Sequence, residues 1–152
     1  MAESMTGGMK LRYSEGQIKR ASIKPPAYIT IVNKALNGEI FEDKFTLRGS
    51  LTSKSFKLFT KMQDHLNIKE LKEEKGNDEL DAEDIRKNLS EEDIDALLTL
   101  FPEFFMSLVI HADPETTLQD VHEFDTMLKL ALLGLMITNM NIEQQVENAT
   151  KK

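Results

Sequence analysis

Asn37-Gly38 is the feature of this sequence that most narrows what the chain can fold into. Asn-Gly readily supplies the positive φ values that a two-residue type I′ turn requires, and here it lies between two runs rich in β-branched and aromatic residues within positions 28–48. With Leu36 opposite Glu39, the strands set Lys34 against Phe41, Val32 against Asp43, Thr30 against Phe45 and Tyr28 against Leu47. One face then gathers Tyr28, Val32, Leu36, Phe41, Phe45 and Leu47, while Glu42, Lys44 and Arg48 point away. Asp43 interrupts the apolar face, and the pattern offers no reason for it. An isolated hairpin is only marginally stable, so helices are expected to cover its apolar side.

The rest of the chain supplies those helices. Thr52 or Ser53 can cap one running to about Leu66, with Leu51, Phe56, Phe59, Met62 and Leu66 along one stripe. Residues 67–88 carry few large apolar groups, and Gly76-Asn77 marks a break. Ser90 can accept from the Asp93 backbone N–H and open a helix whose apolar face is Ile94, Leu97, Leu98 and Phe101. Pro102 is expected to end or kink it, with Phe104, Phe105, Leu108 and Val109 forming a second core piece that Asp113-Pro114 stops. Thr117, with Asp120 three residues on, opens another helix, and Met127 to Ile137 is apolar nearly all round, as suits a central helix.

The reading is therefore an α+β fold, mainly helical, with an N-terminal β-hairpin covered by four to six helices. A length of 152 residues fits one domain of ordinary size. Residues 1–24, with Gly7, Gly8, Gly16 and five cations, read as a flexible basic arm; residues 25–145 as a single globular domain; residues 146–152 as a frayed tail.

Charge is unevenly distributed. Residues 1–75 hold fourteen Lys and Arg against nine Asp and Glu, leaving +5, whereas residues 76–152 hold five against seventeen, leaving −12 and a net −7. Such a dipolar chain can associate with copies of itself or with charged partners, and its acidic half repels bulk nucleic acid. No apolar segment of signal-peptide type opens the sequence, and no stretch reaches the ~20 apolar residues of a bilayer span, so a cytoplasmic protein without membrane contact is expected.

Little equipment for catalysis is visible. The absence of cysteine removes disulfides, thiolate zinc sites and cysteine nucleophiles together. His65, His111 and His122 come without a HExxH spacing, a hydroxyl-nucleophile motif or a Gly-rich phosphate loop. The acidic run from Asp78 to Asp95 has no turn glycine to gather oxygen ligands, and reads more simply as a solvated face. An EF-hand frame with Glu123 in the last ligand position puts Ala112 first and Thr117 in place of the turn glycine, so calcium coordination fails. The expectation is no catalytic residue, no cofactor and no metal. Lys10, Arg12, Lys19, Arg20 and Lys24 of the arm can contact phosphates, with Tyr13 and Tyr28 available to stack, but five scattered cations without a recognition element rank nucleic acid well behind protein partners.

The order of elements and one segment resemble a known family. A hairpin precedes a helix beginning at Leu51-Thr52-Ser53; there follow Ile94-Asp95-Ala96-Leu97-Leu98, the turn His111-Ala112-Asp113-Pro114-Glu115, and Thr117-Leu118-Gln119-Asp120-Val121. This resembles the tail assembly chaperones of long-tailed bacteriophages, which often join two helices through an AxPxxTxEDV-like turn, over about residues 90–128. The resemblance implies a non-catalytic helper in the host cytoplasm that holds tail-tube subunits in solution and recruits them to the tape-measure protein. Candidate contacts are the arm cations Lys10, Arg12, Lys19, Arg20 and Lys24 together with Phe104 and Phe105 of the helices. Two other readings stand beside it: a small phage or bacterial inhibitor or adaptor that binds a host factor, and a nucleic-acid accessory protein using the arm.

Overall fold

In the computed structural model, which describes residues 2–6, 9–16, 25–75, 80–140 and 142–150, the chain turns at Asn37-Gly38 through three loop residues rather than two. Gly38 N donates to Ala35 O at 2.9 Å, Ala35 N donates to Glu39 O at 2.8 Å, and Gly38 takes a φ of 87°. This is the turn-plus-bulge loop in which glycine occupies the left-handed position. Lys34 consequently pairs with Ile40, Ile31 with Asp43, Ile29 with Phe45 and Ala27 with Leu47. A one-residue slip moves a strand's side chains to its other face. The expected inner face is thus corrected: Ala27, Ile29 and Ile31 are buried beside Phe45 and Leu47, while Tyr28 and Leu36 are exposed. Both sides of this strand carry apolar groups, so its own pattern did not choose the register; the loop length did.

The hairpin is also not alone. Strands β1 (Ala2–Thr6), β2 (Met9–Glu15), β3 (Ala27–Lys34) and β4 (Ile40–Leu47) form a continuous meander, and β5 (Val109–Asp113) joins the free side of β4, giving an antiparallel sheet in the order β1-β2-β3-β4-β5. The architecture of a hairpin under four to six helices is therefore overturned: among the described residues there are five strands and seven helices. β1 and β2 fall in the stretch read from sequence as an arm. Leu11 and Tyr13 of β2 point into the core opposite Ile31 and Ile29, and this period-two alternation is what places them there.

The helices are α1 (Ser53–Gln63), α2 (Ile68–Lys75), α3 (Ala82–Lys87), α4 (Glu91–Leu108), α5 (Leu118–His122), α6 (Thr126–Met140) and α7 (Ile142–Thr150). Local capping chemistry fixes several starts. Thr52 with Ser55, Asp81 with Asp84 and Thr117 with Asp120 form reciprocal capping boxes, and Ser90 Oγ accepts from Asp93 N at 3.2 Å. Pro102 neither ends nor divides α4, which is continuous through it. A proline removes one backbone hydrogen bond and crowds the preceding turn. Here Leu97 and Phe101 before it, and Phe104, Phe105 and Leu108 after it, are all fully buried, so packing on both sides holds the helix together.

The helices pack on one face of the sheet and on one another, with α6 against β1 and β2, α3 and α4 against α6, and α1 against α4. Phe105 meets Phe45 edge-on with ring centroids 5.2 Å apart and stacks near Phe101 at 5.6 Å, tying α4 to β4. Phe59 of α1 meets Phe104 at 5.4 Å. α6 is the central helix, buried at every position from Leu130 to Ile137, as its uniformly apolar sequence requires. α7 runs on to Thr150 with Val146 buried at the start of the expected tail.

Candidate interaction surface

The outward face of the sheet follows from the same alternation that builds the core. Lys10 and Arg12 of β2 lie opposite Val32 and Thr30 of β3, which in turn lie opposite Glu42 and Lys44 of β4. Arg12 Nη1 is 3.8 Å from Glu42 Oε1, and Lys44 Nζ is 3.7 Å from Glu42 Oε2. Pairs this exposed contribute less than about 1 kcal/mol each, so they arrange the surface more than they stabilise it.

The hairpin extends beyond its neighbour on one side. β5 pairs with β4 only from Lys44 to Leu47, so no described strand covers the outer edge of Ile40–Asp43. Apolar groups concentrate at this end: Leu36 is fully exposed in the loop, and Ile40 and Phe41 are 62% and 51% exposed. Phe41 and Asp43 share the inward side of β4 with Phe45 and Leu47, but only the last two are covered by helices. Burial pushes the Asp43 carboxyl above the usual carboxylate range. An inward-pointing charge at an open strand edge is a recognised guard against unplanned strand pairing, which gives Asp43 the reason the sequence pattern lacked.

The sequence candidates are placed as follows. Lys10 and Arg12 sit on the outward face; Lys19, Arg20 and Lys24 lie outside the described residues. Phe104 and Phe105 are fully buried, so in this fold they offer no surface to a partner, and as contact residues they are corrected. Sequence reasoning missed Leu36, Ile40 and Phe41 as exposed groups. The available signal was three large apolar residues crowded around an Asn-Gly turn, where a core face has nothing to pack against.

A groove of about 530 Å³ lies between the α1–α2 connection and the start of α4 and contains the one close His–carboxylate pair among the described residues. His65 Nδ1 is 2.8 Å from Asp93 Oδ1, and Ser90 Oγ donates to Asp93 Oδ2 at 3.1 Å. The His65 hydrogen bond, aided by that from Ser90, holds the Asp93 carboxyl below its ordinary range. The serine hydroxyl is on the carboxylate, not on the ring, so this is not the nucleophile–base geometry of acyl transfer. Its evident effect is to fasten the end of α1 to the first turn of α4. His111 and His122 are exposed, on β5 and α5 respectively. Among the described residues no three His, Asp or Glu converge as a metal cluster would. No described helix is long and apolar enough to cross a membrane. On β2, against α6, burial pushes the Tyr13 phenol up to about 12, with the Glu15 charge adding to the shift.

No family model, curated protein or solved structure matches this chain.

Proposed function

We propose that this chain is a non-catalytic tail assembly chaperone that binds tail-tube subunits and the tape-measure protein by protein–protein contact. Two features support the reading: the resemblance over residues 90–128, and the end of the β3–β4 hairpin, which offers apolar groups to a partner. The second carries it. Leu36, Ile40 and Phe41 stand exposed within six residues, beside a strand edge that no described strand occupies. Clustered apolar groups of this kind mark contact surfaces, and an open edge offers backbone hydrogen bonds to a passing polypeptide. A tube subunit awaiting assembly has the complementary problem, since its own edges and patches would self-associate.

The test is co-purification with a tail-tube subunit and a tape-measure protein encoded beside this chain. The wild-type chain keeps the tube subunit soluble and is retained with it. The combined Leu36→Ser, Ile40→Ser and Phe41→Ser variant, still folded by circular dichroism, retains it at least about tenfold less, a change of 1.4 kcal/mol or more. Equal retention by the variant, or none by the wild type, overturns the reading.

A further inference from the structure

The open stretch of β4 has a chemical pattern as well as a free edge. From Asp43 back to Ile40 it presents acid, acid, aromatic and aliphatic: Asp43 and Phe41 on the inward side, Glu42 and Ile40 on the outward side. Asp43 is half-buried and has neither a hydrogen-bond nor an ion-pair partner among the described residues, so a desolvated carboxylate goes uncompensated there. Glu42 already attracts cations, with Arg12 and Lys44 both approaching it. Two copies of this chain cannot use the edge against each other well, because an antiparallel β4–β4 pairing brings two Glu42 and two Asp43 into one short patch.

We propose that the edge of β4 over Ile40–Asp43 receives an extended segment of a partner protein as an added antiparallel strand, with basic side chains opposite Asp43 and Glu42 and apolar ones opposite Phe41 and Ile40. Backbone hydrogen bonds along the edge supply affinity, and the alternating side chains supply choice. A Lys or Arg beside Asp43 gives that carboxylate its missing counter-charge, and an apolar neighbour covers the half-exposed Phe41 ring. A strand with acidic residues in those positions is rejected by like charge. The inference rests on the chaperone reading only for the identity of the partner; the edge chemistry is a property of this chain alone.

The probe is an N-acetylated, C-amidated hexapeptide, Thr-Lys-Arg-Val-Ile-Thr, set against its counterpart with Glu in place of Lys and Arg. Titrated into the full chain, the basic peptide shifts and slows exchange of the backbone amides of residues 40–43, with a dissociation constant on the order of 0.1–1 mM. The acidic peptide binds at least about tenfold more weakly. Asp43→Asn, which removes a charge without altering size, narrows that preference several-fold while the chain stays folded. Equal binding of the two peptides, perturbation confined to other elements, or an unchanged preference in Asp43→Asn overturns the inference. Should tube-subunit retention persist while these peptide results fail, the chaperone reading survives and the strand-addition mode does not.

Discussion

Gly134, in the middle of α6, lies directly beneath the backbone carbonyl of Leu80, so close that a Cβ at position 134 would overlap the oxygen. The same Leu80 donates its N–H to Thr138 Oγ1 one turn along α6, at 3.1 Å, so the segment entering α3 is laid across the central helix by its backbone. Gly134→Ala improves helix propensity by up to about 1 kcal/mol. Forcing a methyl against main chain costs about 1–3 kcal/mol and wins, because no flexible side-chain end is available to move. Urea denaturation is expected to show a net loss of up to about 2 kcal/mol; a gain would mean that Leu80 shifts freely.

Phe105 and Phe41 differ in what they touch, and the difference is large. Phe105 is buried against both Phe45 and Phe101, so Phe105→Ala is expected to cost about 3–5 kcal/mol of stability. Phe41 is half exposed at the hairpin end, and Phe41→Ala is expected to stay within about 0.5 kcal/mol. Parallel denaturation curves decide it, and comparable losses for the two would contradict the uncovered position of Phe41 at the hairpin end.

Gly38 takes a positive φ with open space where a side chain would lie, so a substitution there meets backbone strain and nothing else. Gly38→Ala is expected to lower stability by about 1 kcal/mol, and Gly38→Asn by less, since asparagine tolerates the left-handed region. Matched denaturation of the three proteins gives the order Gly, Asn, Ala from most to least stable. A two-residue type I′ turn needs positive φ at position 38 too and would give the same order there, so the series tests the left-handed glycine and not the loop length.

Two carboxylates respond to pH with opposite sign. Asp93 is held low by His65 and Ser90, so its contribution is present above the unfolded carboxylate range and is lost as pH falls through its folded value. Asp43 is raised by burial, so it favours the fold at acid pH and that contribution is lost as pH rises through its folded value. Asp43→Asn is therefore expected to melt above wild type at neutral pH, with the gap closing in acid. Asp93→Asn is expected to melt below wild type at neutral pH and to approach it in acid. Melting temperatures collected from about pH 3 to 8 test both, and a reversed order for either variant refutes its assignment.

What the sequence revealed was mostly local. The caps at Thr52, Ser90 and Thr117 are decided within three residues, so their starts were readable, and so was the uniform apolarity of α6. β2 was hidden because Lys10 and Arg12, which form its outward side, drew attention to charge and away from Leu11 and Tyr13 between them. β5 was hidden because its five residues continue the apolar run of α4 without a break. The register of β3 depended on a single loop residue, and a strand apolar on both sides gave no vote. The candidate surface was the least legible part. Whether Phe41 meets a core depends on how far the later helices reach over β4, and whether the edge at Ile40–Asp43 is paired depends on how far β5 extends, more than sixty residues later.

That separation has a consequence for how the protein is made. Strands β1 to β4 are complete once Leu47 has left the ribosome, yet the second side of β4 finds its partner only when Asp113 follows, 66 residues later. At about 5–20 residues per second the nascent chain spends roughly 3–13 s with a finished but half-open sheet, its apolar underside still waiting for α4 and α6. Slow translation between these two points, or a message truncated before Val109, prolongs that interval and turns a passing stage of synthesis into an adhesive product.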